Sequence, residues 1–211
     1  MKICYIIGAG ELPLLYIKKE NSMVIAADGG FSKLENITPD ITVGDFDSLG
    51  FVPNGNTITL PTKKDVTDMK YATEVGIEKG FNTFVIYGGT GGRPDHTFAN
   101  YALLASLAEQ GCTAYLIGEG FVATAICNSS ILLPTKNSGT VSVFSASSVS
   151  NGVTIEGLEY TLQNSDLTFS QPLGVSNSFI GAKAKISVKD GTLLIMWEEE
   201  NIKDFIDNLY N

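Results

Sequence analysis

The residues able to do chemistry sit in four short acidic or glycine-rich segments of the N-terminal half. Asp28 follows the apolar run MVIAA and precedes Gly29-Gly30. That is either a ligand-facing carboxylate at a strand end, where open α/β sheets bind ligands, or a turn-forming Asp-Gly. In GDFDS (44–48), Asp45 and Asp47 stand two apart after another strand-like run, ITV. They can present oxygens to one hard cation, and Mg²⁺ suits the pattern because it takes one or two carboxylates plus waters and phosphates. KKDVTD (63–68) adds Asp65, read as a helix-start partner of the dipole, and Asp68, the better functional candidate. Lys63 and Lys64 offer positive charge for phosphate or stand as solvated surface lysines.

The segment GGTGGRPDH (88–96) is the most specific of the four. Its glycines let backbone N–H groups approach an anion at a helix N-terminus, Arg93 can fork onto a phosphate, and Asp95 stands at the cap. It is not a Walker A loop, because no Gly-Lys-Ser/Thr follows. GAGELP near the N-terminus lacks the third glycine of a dinucleotide fingerprint. His96 is the sole histidine, so hydrolase triads are poorly supported. Asp28, Asp45, Asp47, Asp68 and Asp95 gathered on one sheet would repel each other and any polyphosphate unless cations stood between them. The set therefore points to metal-dependent phosphate chemistry with a cationic acceptor.

The elements that must position these groups are legible in periodicity. Short β-rich runs at Ile3–Ile7, 23–27, 41–43, 57–60, Thr83–Tyr87 and 113–117 alternate with helical patterns over 67–79, capped by Thr67, and 95–110, ended by Gly111. The second helix is apolar over most of its circumference (Phe98, Tyr101, Leu103, Leu104, Leu107) and should be heavily covered. After Cys127 the texture becomes short alternating runs broken by Ser, Thr, Gly and Asn, with antiparallel strands expected in VSVFSAS, VTIEGLEYTL, DLTFS, AKAKISV and TLLIMW. Lys189-Asp190-Gly191 reads as a hairpin turn between the last two. A short helix over 202–210 closes the chain. The expected class is α/β, with an N-terminal three-layer α/β domain on a mostly parallel sheet (1–126) followed by an antiparallel β-sandwich domain (127–211).

Composition narrows the partners. Of 211 residues, 23 are acidic and 14 basic, a formal net charge of −9. That argues against sequence-independent binding to nucleic acid or an anionic membrane. Cys4, Cys112 and Cys127 are far apart with no CxxC or Cys/His cluster, which fits reduced thiols in a cytoplasmic protein. The apolar N-terminus reads as a first strand, and no run has the length of a transmembrane helix.

AADGG (26–30), GDFDS (44–48), KDVTD (64–68), GGTGGRPDHTFAN (88–100), GLEY (157–160) and GVSN (174–177) together resemble the thiamine pyrophosphokinase family in order and spacing, over nearly the whole chain. The resemblance implies an α/β catalytic domain joined to a thiamine-binding sandwich, in a homodimer with composite active sites. It implies Mg²⁺ as cofactor, ATP and thiamine as substrates, and transfer of the pyrophosphoryl group of ATP to the thiamine hydroxyl with release of AMP. By that resemblance Asp45, Asp47 and Asp68 hold the metal, and Asp28, Ser48, Lys64 and Arg93 lie on the ATP side. Asp68, Asp95, Tyr160, Ser176 and Asn177 face thiamine, while Asp45, Asp47, Asp68 and Asp95 carry the catalysis. Trp197 matches no family motif and is read as packing. The chain departs from the family at Glu119-Gly120-Phe121, where relatives carry an acidic residue followed by His-Asn. Another metal-dependent phosphoryl or nucleotidyl transferase, or a non-catalytic binder, would be the rival readings.

Overall fold

Short runs rich in β-branched and aromatic residues, with no polar alternation, suit strands covered on both faces. In the computed structural model, which describes residues 1–63 and 65–210, every residue of β1 (Ile3–Ile7) is buried. Next come β2 (Ser22–Ala27), β3 (Ile41–Gly44), the short β4 (Thr57–Thr59), α1 (Asp68–Glu78), the fully buried β5 (Thr83–Tyr87), α2 (Pro94–Glu109) and β6 (Thr113–Gly118). By contact density the chain forms two compact units. The first comprises Met1–Asn100, Tyr115–Glu119 and the tail from Asn201, and the second comprises Tyr101–Ala114 and Gly120–Glu200.

In the first unit β1 lies between β5 and β2, with β3 and then β4 outside β2, and each of these pairs is parallel. The Thr67 hydroxyl accepts the Lys70 N–H and caps α1, as its sequence signalled. Met69, Ala72, Thr73, Val75 and Gly76 form the buried stripe of that helix. On α2, Leu103, Leu104 and Leu107 are buried, but Phe98 is 64% exposed, so the helix is less completely covered than its composition implied. The last element, α3 (Ile202–Leu209), buries Ile202 and Ile206. The hydroxyl of Tyr210 beyond it donates to the Lys18 carbonyl and lies 3.2 Å from the buried Tyr5 hydroxyl of β1.

The second unit is built of antiparallel strands, as expected. They are β7 (Phe121–Cys127), β8 (Ser130–Leu132), β9 (Thr140–Ser145), β10 (Val149–Glu156), β11 (Leu162–Thr168), β12 (Gly174–Ser178), β13 (Lys185–Ser187) and β14 (Thr192–Glu198). They form two sheets, ordered β12–β9–β14–β7 and β11–β10–β13–β8. Alternation buries Val141, Val143, Leu193, Ile195 and Trp197 of one sheet, and Val153, Ile155, Leu167 and Ile186 of the other. Trp197 is thus a packing residue.

The hairpin expected at Lys189-Asp190-Gly191 does not form. β13 pairs with β10 and β8, whereas β14 pairs with β7 and β9, so this turn carries the chain from one sheet to the other. Turn residues report that the chain bends; which strand it then meets is decided by which apolar face must be buried. Gly191 is required at the crossing, because its φ is +115° and a Cβ there would stand 2.9 Å from the Ser150 Cα. Gly191→Ala is expected to destabilise the protein by about 1–3 kcal/mol from backbone strain alone, read as a lower midpoint in urea unfolding. An unchanged midpoint would show that the crossing tolerates a side chain.

Candidate active site

The central strands β1 and β5 diverge in connection, one leading to β2 and the other toward β6, which makes their C-terminal ends the switch point of the sheet. The loops leaving them are bonded to each other. Gly8 N–H donates to the Tyr87 carbonyl, Gly10 N–H to Gly88, and Glu11 N–H to Thr90. The buried Asn100 side chain of α2 donates to the Gly89 carbonyl at 2.7 Å, tying the glycine loop to the helix that follows it. The Glu11 carboxyl lies directly over Gly91: a Cβ on that glycine would meet its carboxyl carbon at 2.4 Å. Sequence reading passed over Glu11 because GAGELP fails the dinucleotide pattern. The signal available was a second glycine pair after the first strand.

Beside this point the ends of β2 and β3 bring three carboxylates together. One oxygen each from Asp28, Asp45 and Asp47 lies within 4.8 Å of the others. The backbone is bent to achieve it. Asp28 has φ +46° and Phe46 has φ +59°, and a bulky residue in the left-handed region is held there only by its surroundings. Phe46 is buried, which anchors the turn by its ring and leaves half-buried Asp45 and exposed Asp47 on either side of it. Gly44 must lack a side chain because a Cβ would come within 2.9 Å of the Asp28 Cα. The Ser48 hydroxyl donates to Asp28 Oδ2 at 2.8 Å, and the Asp47 N–H donates to Asp45 Oδ1 at 3.3 Å. Asp28 Oδ1 is buried with no hydrogen-bond partner among the described residues. Asp68, in the first turn of α1, is half-buried and is not one of the three clustered residues; the third carboxylate beside Asp45 and Asp47 is Asp28, which the resemblance put on the ATP side.

Arg93 and Asp95 are both exposed and are paired with each other. Nε and Nη2 of the guanidinium donate to the two carboxylate oxygens at 3.2 and 2.6 Å. That bond is the main reason the Asp95 carboxyl is held down at about 2, so in this arrangement it accepts no proton near neutrality. Lys64 lies outside the described residues.

In the second unit the three residues expected to share a role are not alike. Tyr160 presents an exposed side chain in the segment between β10 and β11, and Ser176 is exposed in a left-handed bend of β12 with φ +58°. Asn177 is buried, and its amide is bonded to the main chain of Tyr160.

Two family descriptions match this chain: "Thiamin pyrophosphokinase, catalytic domain" over residues 14–116, and "Thiamin pyrophosphokinase, vitamin B1 binding domain" over residues 129–193. The chain belongs to the thiamin pyrophosphokinase family. Asp28, Asp45, Asp47, Ser48, Lys64, Asp68, Arg93 and Asp95 fall within the first match, and Tyr160, Ser176 and Asn177 within the second. A thiamine pyrophosphokinase of Bacillus subtilis (strain 168) is 26% identical over 187 residues, covering 84% of this chain and 87% of that one. The crystal structure of thiamine pyrophosphokinase from Bacillus subtilis superposes with a TM-score of 0.84 at 25% identity, covering 94% of this chain and all of that one. The Geobacillus thermodenitrificans family member superposes with a TM-score of 0.81 at 26% identity, covering 94% and 98%.

The acidic cluster generates a direct test. Asp28→Asn and Asp47→Asn are each expected to keep the fold but weaken Mn²⁺ binding by at least about tenfold, since even groups one step behind metal ligands are worth about 10–100-fold. Titration followed by electron paramagnetic resonance reads this. Undiminished affinity in both variants would show that the cluster is not a cation site.

Proposed function

We propose that this protein is a Mg²⁺-dependent thiamine pyrophosphokinase, converting ATP and thiamine to thiamine pyrophosphate and AMP. The observation that carries the reading is the gathering of Asp28, Asp45 and Asp47 at strand ends, in a chain matched by both parts of the family. Their oxygens suit a hard divalent cation, and the buried, unpartnered Asp28 Oδ1 is the kind of group such an ion would satisfy. Asp45 and Asp47, with Asp28, would hold the ion, and Asp68 is proposed as the further acidic ligand. Bound there, Mg²⁺ would neutralise charge on the ATP phosphates.

The chain's own groups then divide the work. Backbone N–H groups of Gly88–Gly92, the helix start behind them and Arg93 orient the triphosphate, with Lys64 assigned to the same side. To reach phosphate, Arg93 must leave Asp95. An exposed ion pair contributes little, so the exchange is open to a multiply charged ligand, and it frees Asp95 for the thiamine cation. The thiamine hydroxyl oxygen attacks the β-phosphorus, the bond from that phosphorus to the AMP oxygen breaks, and the hydroxyl proton passes to Asp68 or Asp95. Tyr160 offers an aromatic face to the cation, with Ser176 on the same side. Residues 1–126 are assigned the ATP half of this work and 127–211 the thiamine half.

We further infer a homodimer in which each site combines the Asp45 group of one copy with the Tyr160 group of the other. The reaction is placed in the cytoplasm, where ATP is at hand and the three free cysteines stay reduced. No described helix is long and apolar enough to cross a membrane.

Purified protein with ATP and Mg²⁺ is expected to release AMP only when thiamine is added. AMP release without thiamine would indicate a different transferase, and thiamine binding with no AMP would indicate a binder. Assembly is tested by mixing Asp45→Ala with a Tyr160→Ala, Ser176→Ala double variant after proven subunit exchange. About half the dimers are then mixed and each carries one intact site, so activity should return to about a quarter of wild type. No recovery after full exchange would remove the composite site.

A further inference from the structure

Tyr160 sits where a strand ladder should hold it and does not. β10 ends at Glu156 and β11 begins at Leu162, leaving 157–161 without strand pairing apart from the isolated bridge of Leu158 to Phe179. One residue on, the Glu159 N–H donates to the Ser178 carbonyl at 3.0 Å. The next position along β12 is Asn177, and here a side chain replaces the strand. Asn177 Oδ1 accepts the Tyr160 N–H at 2.9 Å, and Nδ2 donates to the Tyr160 carbonyl at 2.6 Å. Oδ1 also accepts the Ser178 N–H at 2.9 Å. A carboxamide has the donor and acceptor of a peptide group, so Asn177 acts as a surrogate peptide that extends the pairing to Tyr160.

The local backbone explains why this amide points inward. Pairing of β12 with β9 shifts register between Gly174 and Asn177, and Ser176 takes φ +58° at the shift. The Ser176 N–H, displaced from the ladder, is taken by the Ser142 hydroxyl at 3.2 Å. The bulge leaves Ser176 exposed and sends Asn177 inside, where it is 4% exposed. Three of the four hydrogen-bonding capacities of its amide are committed to backbone. Tyr160 thus has both main-chain groups fixed while its residue as a whole is 65% exposed.

We propose that Asn177 is a positioning residue that acts through Tyr160: its amide clamps the Tyr160 main chain and so presents the ring to the substrate, without touching the substrate itself. The inference rests on the reading of Tyr160 as the aromatic wall of the thiamine site. It assigns Asn177 a different role from its neighbour Ser176, which the shared motif would treat alike.

A double-mutant cycle on thiamine affinity, measured by calorimetry, tests it. Tyr160→Ala is expected to weaken binding roughly five- to a hundredfold. Asn177→Ala is expected to weaken it about three- to tenfold in the otherwise native chain, but less than about twofold once Tyr160 is alanine. In steady state the Asn177 variant should raise the KM for thiamine with little change in kcat, and ATP binding should be unaltered. Asn177→Leu, which keeps the volume of the side chain and removes all of its bonds to the main chain, provides the same cycle if the alanine variant folds poorly. Losses that add in the double variant would mean Asn177 meets thiamine directly, and unchanged affinity in the single Asn177 variants would mean it positions nothing relevant; either overturns the proposal. If instead Tyr160→Ala binds thiamine normally, the underlying reading of Tyr160 fails and the inference falls with it.

Discussion

Like charges held close together govern this molecule. Two unit charges 4 Å apart repel by about 1 kcal/mol in water and about 4 kcal/mol at an effective dielectric of 20. A chain with net charge −9 nevertheless brings three carboxylates to one point. It does so with rigid means: a buried Phe46 in a left-handed conformation, a glycine at position 44 that lets β3 run against Asp28, and a serine hydroxyl bonded to one oxygen. Such strain persists only where packing over-determines it, and here the fully buried strands β1 and β5 supply the frame.

The two glycine-bearing loops at the switch point complement this cluster. Three backbone hydrogen bonds join them, so the segment that would receive an anion is stiffened from the β1 side and, through Asn100, from α2. A preorganised loop costs less to order on binding than a floppy one. The exposed Arg93–Asp95 pair is the opposite kind of feature: both partners are reachable and the bond between them is exchangeable. The acidic cluster and the glycine loop are thus held by packing and backbone bonds, whereas the ion pair lies open to solvent.

Much of this was legible in the sequence where short-range rules decide. Fully apolar runs gave the buried strands nearly to the residue, and Thr67 announced the cap of α1 because capping is a local hydrogen bond. The acidic segments offered candidate carboxylates, but spacing cannot say which strand ends are adjacent in the sheet. Only the β2–β3 pairing places Asp28 beside Asp45 and Asp47. The same blindness misread Lys189-Asp190-Gly191, a correct turn with the wrong partner. It also hid β7, β8 and β12, whose runs lack a clean period, and the bulge that separates exposed Ser176 from buried Asn177. Long-range register is the common cause.

The first unit is discontinuous in the sequence, since α3 and Tyr210 return to β1 and the Lys18 carbonyl after the whole of the sandwich has been made. During synthesis at about 5–20 residues per second, the α/β sheet therefore emerges long before the helix that buries Ile202 and Ile206. For that interval the sheet lacks the helix in which Ile202 and Ile206 are buried. Completion of the first unit thus waits on residues made after the sandwich, and only then does Tyr210 join Tyr5 and Lys18 of the earliest segment.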